Sequence, residues 1–169
     1  MPSLVDTIKG GDTSAALAMV RAGLVDVNER GTEGPMPQDG GATCLLMAIR
    51  SFAPGDAELV SALLDGGADP NLADTLEGDT PLMSAARYHA YETSMIDALL
   101  AKGADMEKVN KNGDTALHVA ASAGAAITAA YLIKRGANFK AKDRKGRTPM
   151  DIAPDAATKS SMQEAVESL

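Results

Sequence analysis

Aromatic residues are scarce in this 169-residue chain: they make up 3% of it, and there is no tryptophan. The hydrophobic residues, 45% of the sequence, are therefore mainly alanine, leucine, valine and methionine, a set that favours closely packed helices. A chain of this length can bury a continuous core but is too short for two large domains. We therefore expect one helical domain over residues 1–169.

Cysteine and long apolar runs are also scarce. The single cysteine, Cys44, excludes an internal disulfide and fits a reducing compartment. No stretch approaches the roughly 20 apolar residues that a membrane-spanning helix needs. The first residues lack the basic start and apolar run of a signal peptide. These features predict a cytoplasmic protein without membrane contacts.

Basic residues are few in the first half of the chain. The net charge is −7, and residues 1–80 contain thirteen acidic and four basic side chains, against ten and twelve in residues 81–169. An acidic half argues against general binding to nucleic acid. The net charge also favours a monomer.

The sequence lacks the common catalytic motifs. The chain has no Gly-x-Ser-x-Gly segment, phosphate-binding loop or His-Glu-x-x-His motif. Its two histidines, His89 and His118, have no cysteine partner at metal-ligand spacing, and Cys44 has no histidine close in sequence. The sequence thus predicts no catalytic residue, no metal ligand, no cofactor and no enzyme activity.

What the chain does contain is a repeated segment. Gly113-Asp-Thr-Ala-Leu-His-Val-Ala-Ala121 has echoes that begin at Gly41, Gly78 and Gly146. The repeated threonines, which can cap a helix start, are 37, 35 and 33 residues apart: Thr43, Thr80, Thr115 and Thr148. The first three units each also carry an apolar pair and then a glycine suited to a helix end: Gly67, Gly103 and Gly136. The pattern therefore predicts two helices in each unit.

A repeat near 33 residues with a Thr-Pro-Leu-His-x-Ala core is typical of ankyrin repeats, and the chain resembles an ankyrin-repeat protein. The resemblance implies an all-α solenoid of about five helix pairs with short hairpin or loop fingers. It divides the chain into an N-terminal capping repeat with a long finger (1–40), repeats at 41–77, 78–112 and 113–145, and a C-terminal capping repeat (146–169). The compact, alanine-rich character is similar to that of small stand-alone bacterial ankyrin proteins.

The resemblance also implies two structural details. His118, in the core motif, is expected to hydrogen-bond backbone between neighbouring repeats. The segment that contains residues 29–40 is about seven residues longer than the family spacing. It is rich in glycine and proline, which predicts an extended finger. Smaller insertions lie near residues 51–55 and 88–91, and one extra residue lies between 72 and 78.

Ankyrin proteins generally bind protein partners with their finger tips and the concave face of their inner helices. Arg87 and Tyr88, on that face, are residue types enriched at binding hot spots. The basic run from Lys134 to Arg147 is either a solvated surface or a contact for an acidic partner. The predicted partner-binding residues are Met47, Arg50, Ser84, Arg87, Tyr88, Tyr91, Ser122, Leu76, Glu77, Lys111, Asn112, Arg144 and Lys145.

Two functions are consistent with these sequence features. The first is a module that binds one folded protein as a scaffold or adaptor. The second is an inhibitor or immunity-type protein that blocks a specific enzyme with the finger at residues 29–40. The sequence favours the first and leaves the second as the alternative, and it does not name the partner.

Overall fold

A computed structural model of the chain describes residues 3–23, 25–31, 41–51, 56–90 and 93–169. These ranges contain ten α-helices in five consecutive pairs and no β-strand. The first helices of the pairs are α1 (Leu4–Lys9), α3 (Cys44–Ser51), α5 (Pro81–Tyr88), α7 (Ala116–Ser122) and α9 (Pro149–Ile152). The second helices are α2 (Thr13–Arg21), α4 (Asp56–Asp65), α6 (Ser94–Ala101), α8 (Ala126–Lys134) and α10 (Ala156–Glu167).

The helices form two rows. In the inner row, α1, α3, α5, α7 and α9 pack on one another in order. In the outer row, α2 packs on α4, α4 on α6, and α8 on α10. The Tyr131 hydroxyl of α8 donates to the Asp97 carboxylate of α6 at 2.6 Å, which connects the two parts of the outer row. This is the predicted all-α stack; the exact boundaries of its repeats stay a prediction.

The motif threonines begin the inner helices, as predicted. In the last three units the hydroxyl of Thr80, Thr115 or Thr148 accepts the amide of the residue three positions later, at 3.3–3.5 Å. The hydroxyl of Thr43 accepts the Leu46 amide at 3.3 Å. Pro81 then occupies the first helical position, where a missing amide hydrogen costs nothing.

A continuous apolar core lies between the rows. Leu45, Leu82 and Leu117 occupy equivalent inner-helix positions, and each is 1% exposed. Burial of one such side chain contributes roughly 1.5–3 kcal/mol. Ala48 and Ala85 are completely buried, and their small side chains let neighbouring inner helices approach closely. The repetition of large and small residues thus sets the spacing of the stack.

Buried polar groups fix the repeats relative to one another. His118 is fully buried; its Nδ1 lies 2.9 Å from the Thr115 hydroxyl, and its Nε2 lies 3.1 Å from the Arg147 carbonyl oxygen of the next unit. This confirms the predicted bond between repeats. Burial chiefly, with the negative charge of Glu29 added, raises the pKa of the Cys44 thiol to about 12. The thiol therefore stays protonated at neutral pH and is a poor nucleophile.

The outer helices end as the sequence predicts. Gly67, Gly103 and Gly136 all have positive φ, at 93°, 85° and 97°. Beyond the first of these ends, the Asn28 side chain donates to the Gly67 carbonyl at 3.3 Å and accepts the Asp69 amide at 2.8 Å. Asn71 repeats this pair of bonds with Gly103 and Asp105 one unit later, so the connections between repeats are held in register.

No helix within the described ranges is both long enough and apolar enough to cross a bilayer.

Candidate functional site

Three fingers each turn around one buried polar side chain. The second finger (residues 74–79), third finger (110–114) and last finger (143–147) begin with Asp74, Asn110 and Asp143, which are 6%, 5% and 6% exposed. In every case one side-chain oxygen accepts two backbone amides of the turn at 2.8–3.0 Å. One backbone hydrogen bond closes each turn, as between the Asp74 amide and the Asp79 carbonyl at 3.0 Å.

The second finger is wider than the other two. Asp74 accepts amides three and four residues later, from Glu77 and Gly78, whereas Asn110 accepts them two and four residues later. The difference is the extra residue that the sequence places between 72 and 78. It leaves the Leu76 side chain at the finger tip, where it is 41% exposed.

Two arginines fasten the second finger to the inner helices. Arg50 of α3 donates to Asp74 at 2.6 Å and to the Ser84 hydroxyl of α5 at 3.0 and 3.2 Å. Arg87 of α5 donates to Asp79 at 2.8 Å. Burial raises the pKa of Asp74, but the hydrogen bond and charge of Arg50, with two backbone amides, outweigh it and hold that pKa below 3.8. The second finger is therefore anchored by charged hydrogen bonds.

Neighbouring fingers are also joined directly. The Lys111 amide donates to the Glu77 carbonyl at 2.9 Å, and the Lys111 ammonium donates to the carbonyls of Thr75 and Leu76 at 2.6 Å. The Arg144 amide donates to the Asn112 carbonyl at 3.0 Å. The second, third and last fingers thus form one hydrogen-bonded edge.

An open groove of about 310 Å³ lies between the second and third fingers and helices α5 and α7. The Tyr88 side chain, 43% exposed, borders it together with Leu76. Four carboxylates and two guanidinium groups supply its charges. The residues that line it are Arg50, Asp74, Leu76, Glu77, Asp79, Arg87, Tyr88, Asn110, Asn112, Asp114, Val119 and Ser122.

The groove brings together seven of the predicted partner-binding residues: Arg50, Leu76, Glu77, Arg87, Tyr88, Asn112 and Ser122. Two others are not on the surface as expected, since Met47 is 7% exposed and Ser84 is completely buried. Gly31 covers Met47 so closely that a Cβ there would lie 2.5 Å from its terminal methyl, and the Arg50 guanidinium covers Ser84. Whether any of these residues touches a partner stays a prediction.

The remaining predicted residues lie outside the groove. Lys111, Arg144 and Lys145 are exposed on the third and last fingers. Tyr91 lies outside the described residues, as do residues 32–40 of the long N-terminal finger. At the base of that finger the Gly41 amide donates to the Gly31 carbonyl at 3.2 Å, so its two ends are joined.

Sequence reasoning misses Asp74 and Asn110 as parts of the groove. A signal is present: an aspartate or asparagine recurs five or six residues before three of the motif threonines. His89 lies in the insertion near residues 88–91, and its Nε2 lies 2.7 Å from the Ile49 carbonyl oxygen of α3. Among the described residues, no group of three histidine, cysteine, aspartate or glutamate side chains is placed to hold a metal ion.

A family model described as ankyrin repeats (3 copies) matches residues 45–143 and also residues 90–169. The chain belongs to the ankyrin-repeat family. Ankyrin repeats are generally protein–protein interaction modules, and the family is generally non-enzymatic. The groove is therefore a concave surface of a fold commonly used for binding.

Three curated relatives illustrate where such repeats occur. SH3 and multiple ankyrin repeat domains protein 1 of Homo sapiens is 38% identical over 96 residues, 57% of this chain and 4% of that protein. E3 ubiquitin-protein ligase KEG of Arabidopsis thaliana is 32% identical over 119 residues, 70% of this chain and 7% of that protein. B-cell lymphoma 3 protein homolog of Mus musculus is 30% identical over 139 residues, 82% of this chain and 28% of that protein. The chain therefore matches only a small part of each relative.

Proposed function

We propose that this chain is a non-catalytic module that binds a folded protein partner through the groove and the fingers beside it. The observation that carries the proposal is the meeting of Tyr88 and Leu76, two of the exposed large hydrophobic side chains, at one concave surface. Exposed apolar side chains surrounded by polar groups mark many protein interfaces. Tyrosine in particular supplies a large contact area at low entropic cost.

The rigidity of the groove supports this function. Its fingers are held by side chains that accept backbone amides and by Arg50 and Arg87. A surface that is already ordered loses less conformational entropy when a partner binds. The arginines therefore act mainly by positioning the second finger, while Tyr88 and Leu76 present exposed apolar surface to a partner.

A binding assay with matched variants tests the proposal. Partners are captured from a lysate with the unaltered chain, with the Tyr88→Ser/Leu76→Ser variant and with Ile127→Ser, which removes a 52% exposed side chain from outer helix α8. The dissociation constant of the captured partner is then measured by calorimetry. We expect the dissociation constant of Tyr88→Ser/Leu76→Ser to rise about tenfold or more. Each tenfold rise corresponds to a loss of about 1.4 kcal/mol of binding free energy. Ile127→Ser should bind normally.

The opposite pattern, normal binding by Tyr88→Ser/Leu76→Ser and loss with Ile127→Ser, would place the interface on the outer helices. The same partner and assay address the inhibitor alternative. Replacing residues 32–40 with a short glycine–serine linker should leave groove binding intact if the chain is an adaptor. Loss of enzyme inhibition by that variant, with the groove unaltered, would support the inhibitor.

We further propose that the protein acts as a cytoplasmic monomer that does not bind nucleic acid. Its net charge of −7 supports both monomeric behaviour and weak affinity for nucleic acid. The buried Cys44 thiol is compatible with a reducing compartment. Light scattering during gel filtration measures the mass directly: a value near 17.4 kDa is expected, and twice that value would contradict the monomer.

A further inference from the structure

The charges of the groove are unequally matched. Of its four carboxylates, Asp74 is paired with Arg50 and Asp79 with Arg87. The side chains of Glu77 and Asp114 make no hydrogen bond or ion pair with any residue in the part of the chain that the structure describes. They stand on two different fingers, so the groove holds two uncompensated negative charges on separate walls.

Among the described residues, no cation forms an ion pair with either carboxylate. The Lys111 ammonium, which lies closest along the chain, donates to the Thr75 and Leu76 carbonyls at 2.6 Å. Arg144 and Lys145 are exposed on the last finger and do not line the groove. The negative charge of Glu77 and Asp114 is therefore available to a ligand that enters from solvent.

Apolar surface accompanies these carboxylates. Tyr88 and Leu76 border the same groove and are each more than two-fifths exposed. An arginine side chain matches both features, because its methylene stem packs on apolar groups and its planar guanidinium stacks on aromatic rings. Its five N–H donors can also serve two carboxylates at once. A lysine ammonium presents only a single point charge.

Resting on the binding function proposed above, we propose that the groove receives an arginine side chain from the partner protein. The stem lies against Leu76 and Tyr88, and the guanidinium pairs with Glu77 and Asp114. The walls of the groove already hold two guanidinium groups of this chain, each paired with one carboxylate, at 2.6 Å from Asp74 and 2.8 Å from Asp79. An acidic ligand would instead meet an excess of like charge.

The test uses a defined probe and nuclear magnetic resonance. The blocked pentapeptide Gly-Gly-Arg-Gly-Gly is titrated into the ¹⁵N-labelled chain up to about 10 mM, because a single side chain binds weakly. We expect shifts of amides in residues 76–79, 88 and 112–114. The same peptide with citrulline has nearly the same shape without the charge, and it should bind about tenfold more weakly.

Two charge-matched variants complete the test. Glu77→Gln/Asp114→Asn should remove the difference between the two peptides. Glu164→Gln/Glu167→Gln removes the same charge from exposed positions of α10 and should preserve that difference. No shift with the arginine peptide, equal shifts with citrulline, or shifts confined to residues 140–147 would each overturn the proposal.

The captured partner separates this inference from the function on which it rests. If Tyr88→Ser/Leu76→Ser abolishes partner binding and Glu77→Gln/Asp114→Asn does not, the groove binds protein but not through an arginine. If neither variant affects binding, the proposed function itself fails. Loss with both variants, together with the peptide result, supports both.

Discussion

The second and last fingers are both built around a buried aspartate but are anchored differently. In each, the carboxylate of a buried aspartate accepts hydrogen bonds from two backbone amides and from an arginine side chain. The arginine that donates to Asp74 is Arg50, which lies 24 residues earlier on inner helix α3. The arginine that pairs with Asp143 is Arg147, which lies four residues away in the same turn. The first ion pair therefore joins a finger to the helix stack, whereas the second closes only its own loop.

Exposure sharpens this difference. The Arg50 side chain is 19% exposed and that of Arg147 is 48% exposed. Removing one partner of a buried ion pair leaves an uncompensated charge and is costly, whereas exposed pairs contribute little. The comparison teaches that the groove is framed by the finger whose ion pair reaches the helix stack, whereas the ion pair of the last finger lies within its own turn.

The largest expected effect is on stability. Arg50→Met should lower the free energy of unfolding by about 2–4 kcal/mol, because Asp74 stays buried without its charged partner. Arg147→Met should lower it by less than about 1 kcal/mol, because the Arg147 side chain is half exposed and water screens its interaction with Asp143. Urea denaturation of the three proteins under identical conditions gives both values. Equal losses would mean that the two pairs stabilise the fold alike.

The second prediction concerns the acid side of the stability curve. For both Asp74 and Asp143 burial raises the pKa, but arginine and backbone amides outweigh it and hold the folded-state pKa below 3.8. A lowered folded-state pKa gives stability that is complete above 3.8 and is lost as the pH falls through the folded value. Arg50→Met removes that residue's hydrogen bond and charge, so the pKa of Asp74 should rise while that of Asp143 should not change.

Carboxyl ¹³C titration of both aspartates in the unaltered chain and in Arg50→Met measures this directly. The control is Arg147→Met, which should raise the pKa of Asp143 and leave that of Asp74 unchanged. A rise of both values in either variant would show that the fingers are coupled electrostatically, and the contrast between the two ion pairs would then fail.

The parts of the fold that the sequence predicts are those set by local chemistry. The motif threonines cap helices because the bond spans three residues, and Gly103 ends a helix because its φ of 85° suits glycine. The role of His118 follows from the family motif, although its bond to the Arg147 carbonyl spans 29 residues. A repeat makes such distant contacts predictable, since every unit meets its neighbour in the same way.

The irregular contacts could not be predicted in this way. The sequence places Arg50 on the face toward a partner, but the side chain covers Ser84 and pairs with Asp74. At the equivalent position of the next unit Arg87 pairs with Asp79, and the unit after that has Ser122, so no repeat average contains this arrangement. Asp79, at the end of the second finger, is 4% exposed because Arg87 and Asn110 both donate to it. Charged pairs between elements are set by tertiary geometry rather than by spacing along the chain.

The smallest expected effect compares two finger lysines. Lys111 donates to two carbonyls of the second finger at 2.6 Å, whereas the side chain of Lys145 has no hydrogen bond or ion pair among the described residues. Lys111→Met should therefore lower the free energy of unfolding by about 0.5 kcal/mol, typical of an exposed charged contact, and Lys145→Met should not change it. Thermal unfolding of both variants, which lose the same charge, gives the comparison.

Hydrogen exchange locates that small effect. The amide of residue 111 donates to the Glu77 carbonyl at 2.9 Å, and the amide of residue 144 donates to Asn112 at 3.0 Å. If the Lys111 ammonium holds the second and third fingers together, Lys111→Met should speed exchange at residue 111 and leave residue 144 unaffected. Faster exchange at both would mean that the three fingers open as one unit. Loss of a contact at the second finger would then loosen the last finger too, although the ion pair of the last finger lies within its own turn.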